Sequence, residues 1–252
     1  MPMVELASPF HDPEGRLIPM IDSAGKSLLD LYRGHAVVST ISTTLAESKA
    51  KLQGIGFETV ELSGDLPDTA SNNYRSAIRS GLKSSATHIH LVDFDRALHW
   101  AKTYPDELSE IIKLIPETSG LVTFTRSVRA LNTHPDVQLI TEFGVNEEAS
   151  KFAGKNVDIM SGAFALDRNL SELILLQSKS QDASMYAEFL KIAVLSGLPI
   201  DSFVVEGLEW ETPDQYQDEI KKEGYNAWLD KFEINGWDIR TELVEKSSEI
   251  LR

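Results

Sequence analysis

The sequence predicts an α/β protein: a mostly parallel, mixed sheet with helices on both faces, followed by a C-terminal helical appendage. Three observations predict it. Short apolar, β-branched runs alternate with segments of helical spacing from Ala36 to Phe124. The connections between those runs are long enough for the crossovers that parallel strands need. With 252 residues, 42% of them apolar, the chain can bury the core of such a layered fold.

The elements follow in order. Residues 1–34 carry Pro, Gly, Asp and His without a long periodic segment, and read as a loop-rich N-terminal arm. Ala36 to Ile41 is a first strand. Thr44 with Glu47 resembles a capping box for a helix through Leu45, Ser48, Lys49 and Leu52, ended by Gly54 and Gly56. Phe57 to Leu62 is a second strand. Ser71 is the expected cap of a helix whose Tyr74, Ala77, Ile78, Gly81 and Leu82 share one face. Thr87 to Val92, a third strand, delivers the chain into Asp93-Phe94-Asp95. A helix over Pro105 to Ile115 precedes a strand over Gly120 to Phe124.

Beyond that point Val137 to Thr141 and Val157 to Met160 read as short strands. Leu170 to Gln177 and Ser184 to Leu195 read as helices, and Ile200 to Val205 as a strong last strand. From Asp214 the chain is polar and helical, with Trp228, Phe232, Trp237 and Leu243 as anchors. The expected division is 1–34 for the arm, 35–210 for the α/β domain and 211–252 for a helical extension packed on it.

Composition narrows the function. Lys plus Arg total 24 against 39 Asp plus Glu, a formal net charge of -15. Such a surface repels nucleic acid and anionic membrane, though a small basic pocket remains compatible with it. Cysteine is absent, which removes disulfides, thiolate nucleophiles and Cys-ligated zinc, and suits a cytoplasmic home. The start has no basic n-region, and no stretch reaches 18 apolar residues, so neither a secretory signal nor a membrane span is expected. A homodimer through an edge strand or the C-terminal helices is compatible with the pattern.

The chemistry concentrates at Asp93 and Asp95. Two residues apart at a strand end, their carboxylates can face one point. Like charges so close repel unless a cation sits between them, and Mg²⁺ or Mn²⁺ accepts such oxygens together with phosphate. In parallel sheets ligands bind beyond the C-terminal strand ends, where this pair falls. The bland alternative is a helix cap plus a solvated loop residue. A haloacid-dehalogenase-like phosphatase also uses Asp-x-Asp. Its motif usually ends the first strand and continues to Thr or Val, whereas Ala97 stands here.

Asn73 to Leu82 leading into His90-Leu91-Val92-Asp93-Phe94-Asp95 resembles the helix and DxD strand of GT-A-fold, nucleotide-sugar-dependent glycosyltransferases. Asp158 to Arg168, with Ser161-Gly162-Ala163 at its centre, resembles the acceptor-side strand with a small-residue turn. Ser184 to Phe189, followed by Gly197-Leu198-Pro199-Ile200, is similar to the helix carrying a catalytic or acceptor-binding carboxylate. The layout match spans residues 36–206. It departs from the family pattern after Ala36–Ile41, where Ser39-Thr40-Ile41-Ser42-Thr43 replaces Pro-x-x-Asn.

The resemblance implies a nucleoside diphosphate sugar as donor, a small polar acceptor and a divalent Mg²⁺ or Mn²⁺. It implies Asp95 as principal metal ligand, Asp93 as a metal or ribose contact, and Glu61 or Asp65 as reader of the nucleobase. It also implies Glu188 or Asp182 as the base that an inverting transfer needs. Arg75 and Arg79, one helical turn apart, could reach a diphosphate or a phosphorylated acceptor, or form an exposed helix face. Arg126, after the fourth strand, lies at the ligand edge of the sheet. Glu206 to Glu211 brings three carboxylates and Trp210 to another strand end, to bind a sugar or fix a loop. His88 and His90 read as interior or edge histidines rather than zinc ligands. The sequence-level function is therefore a glycosyltransferase, with a phosphatase or a degenerate, non-catalytic GT-A-like binding protein as alternatives.

Overall fold

In the computed structural model, which describes residues 3–252, the chain begins with a strand: β1 spans Val4–Phe10 and α1 Ile18–Leu31. This corrects the expectation of a loop-rich arm. Every residue of β1 is buried, Glu5 and Ser8 included. Those polar residues, with Pro9, hide the strand from an apolar-run search.

There follow β2 (Ala36–Thr40), α2 (Ala46–Ile55), β3 (Glu58–Glu61), α3 (Ala70–Gly81), β4 (His88–Val92), α4 (Phe94–Thr103), α5 (Pro105–Leu114) and β5 (Leu121–Arg126). Then come α6 (Val128–Leu131), α7 (Asp136–Ala153), β6 (Ala163–Asp167), α8 (Arg168–Gln177), α9 (Met185–Leu195), β7 (Ile200–Val205), α10 (Gln217–Glu223) and α11 (Tyr225–Leu251).

The strands form one 7-stranded sheet in the order β3-β2-β1-β4-β6-β5-β7. β1 pairs in parallel with β2 (Ala7 beside Val37) and with β4 (Leu6 beside His90). β2 with β3 and β5 with β7 are also parallel, while β6 runs against both its neighbours, β4 and β5. The sheet is mixed and mostly parallel, as the sequence predicts.

Alternation along the strands feeds two cores. On one face Leu28 of α1 and Phe94, Leu98 and Trp100 of α4 pack with Leu6, Val38 and Phe124. On the other, Tyr74 and Ile78 of α3, Leu170 of α8 and Phe189 of α9 pack with Ile89, Leu91 and Phe164. Each such side chain contributes about 1.5–3 kcal/mol by burial. His90 belongs to the first face. It lies between Trp100 and Phe124, with Nδ1 bonded to the Tyr32 hydroxyl at 2.5 Å. Burial pushes it down to about 3, so it is a neutral core residue.

Local chemistry revises several element ends. Thr69, not Ser71, caps α3: its Oγ1 accepts from the Asn72 N–H at 3.2 Å. Ser71 donates instead to the Asp182 carbonyl at 2.6 Å. Thr44 donates to the Phe10 carbonyl at 3.4 Å and does not cap α2. Gly56, at φ 112°, ends that helix, with Gly54 still inside it. Val137 to Thr141 is the start of α7 rather than a strand. Val157 to Met160 is irregular and runs into a 3-10 turn over Ile159–Ser161.

At the C-terminus α11 lies along α7 and α9. Trp228 is buried there, against Trp210 and Phe232, whereas Trp237 is 40% exposed and is not an anchor. No helix among the described residues is long and apolar enough to cross a membrane.

Candidate functional site

The C-terminal ends of β1, β2 and β4 frame a cleft of about 320 Å³. Phe10, Ile41, Asp68, Asn73, Tyr74, Asp93 and Asp95 are among its lining. β4 ends at Val92, so Asp93 is the residue preceding α4 and Asp95 lies in that helix's first turn. The sheet thus presents both carboxylates together, as the Asp-x-Asp spacing implies.

The pair is held tightly. Asp93 accepts from the Tyr74 hydroxyl, which also bonds to Tyr186 at 2.6 Å. Its other oxygen lies 3.6 Å from Arg96 Nε. Asp95 accepts from the Arg96 N–H at 2.9 Å and from the Gln215 side-chain amide at 2.8 Å. Arg96 also reaches Glu211 at 3.5 Å and donates to the Ser161 carbonyl. Glu211 is buried, with Oε2 lacking a partner.

Two carboxylates therefore share one guanidinium, and Asp95 holds the same residue by its backbone N–H. Burial first, then the charges of Glu211 and Asp93, push the Asp95 carboxyl up to about 7. Burial likewise raises Asp93, against the pull of Arg96 and the Tyr74 hydrogen bond. The small-residue turn matters here. Gly162 has φ +67°, and a Cβ on it would stand 2.8 Å from Asp93 Oδ2 and 3.1 Å from Arg96 Nη1. A larger residue would push the turn off the acidic pair.

These donors fit a hard divalent cation that shares its shell with a ligand. The excess of negative charge favours one. Yet no group of three or more His, Cys, Asp or Glu among the described residues is arranged to hold an ion unaided. A cation held there would take its remaining oxygens from a phosphorylated ligand or from water, as Mg²⁺ ordinarily does.

Two cleft residues escape the sequence reading. Asp68 lines the cleft and accepts from the Ser42 N–H at 3.2 Å. Glu61 lies outside the lining, exposed and paired with Lys49 at 2.7 Å; Asp65 is exposed and outside it too. Asn73 donates to the Phe10 carbonyl at 3.3 Å, leaving its buried Oδ1 without a partner. The first strand of the sheet also ends in Pro9-Phe10-His11-Asp12. β1, not β2, is therefore the first strand in chain order, and the buried Asp12 follows it.

Other expected site residues lie elsewhere. Arg126 is 2% exposed, bound to Asp158 at 2.8 Å and to Glu142 at 2.7 Å. Arg75 and Arg79 are on the side of α3 away from the cleft, where Asn72 also lies. Glu188 accepts from Ser178 Oγ at 2.6 Å and from the Lys179 and Ser180 N–H groups at 2.8 and 3.1 Å. Asp182 pairs with Lys246 at 2.8 Å and with the Ser184 N–H at 3.0 Å. Neither carboxylate lines the cleft. Trp210 is buried against Trp228 and Phe232, with ring centroids 5.5 and 5.2 Å away.

The Glu206–Glu211 segment does hold a loop. The Glu206 and Gly207 N–H groups donate to Glu107, each at 2.8 Å. A Cβ on Gly207 would stand 1.9 Å from Trp100 Cδ1. His99 fastens the continuation, bonding to Asp214 at 2.7 Å and Glu209 at 3.1 Å. Arg16 pairs with Glu219 and stacks over Tyr216 at 4.4 Å. Residues 206–219 thereby form a strap that crosses α4 and reaches Asp95 through Gln215.

No protein-family model matches the chain, and no curated protein matches it in sequence. Solved structures do match. Glucosyl-3-phosphoglycerate synthase from Mycobacterium tuberculosis in complex with uridine diphosphate gives a TM-score of 0.53 at 13% identity, covering 81% of this chain and 70% of that one. The same enzyme with Mn²⁺, uridine diphosphate and phosphoglyceric acid gives 0.51 at 14% identity, over 81% and 68%. Identities this low speak to the fold alone. The chain has a GT-A-like, nucleotide-diphospho-sugar-transferase-like fold.

Proposed function

We propose that the chain is a glycosyltransferase that moves a sugar from a nucleoside diphosphate sugar to a small polar acceptor, using Mg²⁺ or Mn²⁺. The observation that carries this reading is the cleft that gathers Asp68, Asn73, Asp93 and Asp95 at the C-terminal ends of parallel strands. The uridine diphosphate and Mn²⁺ in the matching enzyme's complexes support it.

In this reading Asp95 and Asp93 hold the cation, which offsets charge on the departing nucleoside diphosphate. Gln215 must leave Asp95 for that contact. Phe10 and Ile41 wall the nucleoside, and Asp68 with the unpartnered Asn73 Oδ1 accepts its N–H or O–H groups. An inverting transfer needs a carboxylate near the acceptor hydroxyl. Glu211 also lies outside the cleft lining, but it is buried beside Arg96 with one oxygen unpartnered, and so meets that need better than Glu188 or Asp182, whose oxygens hold their own loops.

A non-catalytic GT-A-like binding protein has one observation in its favour: Arg96 and Gln215 already occupy Asp93 and Asp95. One experiment separates the two. Thermal unfolding is measured with UDP, GDP, ADP and dTDP, each with Mg²⁺, Mn²⁺ or EDTA, in the wild type and in Asp95→Ala. A ligand at 100 times its Kd adds about 2.7 kcal/mol of stability by linkage. A shift for one nucleotide that needs metal and Asp95 is the expected result. No shift for any nucleotide, from folded protein, overturns the donor site.

A further inference from the structure

The far side of α3 carries a second cleft, also of about 320 Å³. α3 contributes Asn72, Arg75 and Arg79 to it, Leu66 closes one end, and α8 with the loop after it brings Leu175, Ser178, Lys179 and Gln181. The lining holds three cations and no carboxylate. In a chain of formal net charge -15 that is against expectation.

Arg75 is the built part. It is 8% exposed, and it forms no ion pair among the described residues. Its guanidinium is fixed by neutral acceptors: Asn72 Oδ1 at 2.8 Å, Ser178 Oγ at 3.0 Å and the Ser180 carbonyl at 2.9 Å. Three of its five N–H groups are used, so Nε–H and one Nη2–H remain. The nearest acid that acts on it, Glu188, has both oxygens committed to Ser178, Lys179 and Ser180. A buried guanidinium held by neutral acceptors, with the Glu188 charge acting only from a carboxylate committed elsewhere, is partly compensated, and an anion at its free N–H groups would complete it. Arg79 and Lys179 are exposed at the rim and also form no ion pair among the described residues.

We propose that this cleft is a binding site for a small phosphorylated metabolite, separate from the donor cleft on the opposite side of α3. Arg75 and Arg79 supply planar N–H donors suited to phosphate oxygens, and Lys179 adds a mobile point charge. Leu66 and Leu175 give an apolar wall for the carbon skeleton, and the volume suits one small molecule. The site needs no metal and does not depend on the transferase reading.

The test uses the full chain in EDTA, titrated by calorimetry with inorganic phosphate, with glycerol 3-phosphate and with glycerol. Both phosphates are expected to bind saturably and glycerol not at all. Tighter binding of glycerol 3-phosphate identifies a phosphomonoester site, and equal binding a site for the phosphate group alone. Arg79→Gln/Lys179→Gln, two exposed positions that spare the fold, should weaken binding by about tenfold or more, whereas Asp95→Ala should not alter it. Arg75→Gln, if folded by circular dichroism, should abolish it. Absence of saturable binding overturns the proposal. So does binding that survives Arg79→Gln/Lys179→Gln, or binding that is lost in Asp95→Ala.

Discussion

At the scale of single residues, Asp95 bears a charge that its surroundings oppose. Burial, Glu211 and Asp93 set its carboxyl near 7, above the roughly 3.9 of an unfolded chain. A folded value raised in this way favours the fold below the unfolded value, and that contribution is lost as pH rises through the folded one. Above about pH 7, then, Asp95 works against the fold, as residues kept for a site commonly do. Asp95→Asn retains an acceptor for the Arg96 N–H, and its NH2 can donate to the Gln215 amide once that amide is turned over. It should raise Tm at pH 8 by about 2–4 °C, and the gain should shrink towards zero at pH 4.5. Thermal unfolding of both proteins at the two pH values checks this. An unchanged or lower Tm at pH 8 would mean that Arg96 already compensates the carboxylate.

Between elements, one fastening is ionic and buried. Arg126 ends β5 and binds Asp158, while its Glu142 contact on α7 is shared with Arg240 on α11 at 2.6 Å. Asn146 adds a bond to Asp158 at 2.8 Å. Arg126→Met strands the buried Asp158 without a cation and leaves Glu142 to Arg240 alone, which costs about 3–5 kcal/mol and should lower the urea midpoint accordingly. A phosphate-binding Arg126 would instead leave the midpoint in place and weaken a ligand. The position of Arg126 at the sheet's ligand edge was legible; its partners, 16 and 32 residues away, were not. The same contrast holds for whole elements. β4, β5 and β7 declare themselves because apolar runs meet turn residues. β1 does not, since Glu5, Ser8 and Pro9 interrupt it and its burial comes from both neighbours and both faces. In α7, Val137, Val145 and Ala149 face inward, but Ile140 and Phe143 are exposed at 64% and 69%, so the apolar period blurs. Its β-branched start then imitates a strand.

Over the whole molecule the site is composite, drawn from Phe10 at one end of the sequence to Gln215 near the other. Asp93 and Asp95 could be found because strand, motif and strand end are contiguous. Asp68 reaches the same cleft, and Glu211 the Arg96 beside it, only through the sheet order and the strap, which no local spacing encodes. The strap itself should respond to pH through His99. Burial opposes its charge, but hydrogen bonds to Asp214 and Glu209 outweigh that and hold its pKa above the usual 6.5. The stabilisation is therefore full below about pH 6.5 and is lost as pH rises through the folded value. The stability difference between wild type and His99→Gln should be about 1 kcal/mol at pH 6 and close to zero at pH 9, read from urea unfolding of both. A difference that does not change with pH would show that His99 acts by packing alone. The consequence reaches the cleft. Gln215 sits one residue beyond Asp214, so the ion pair that stabilises the strap also keeps an amide on Asp95. In the proposed donor site, metal and nucleotide should therefore bind more tightly as His99 loses its proton and its hold on Asp214 weakens.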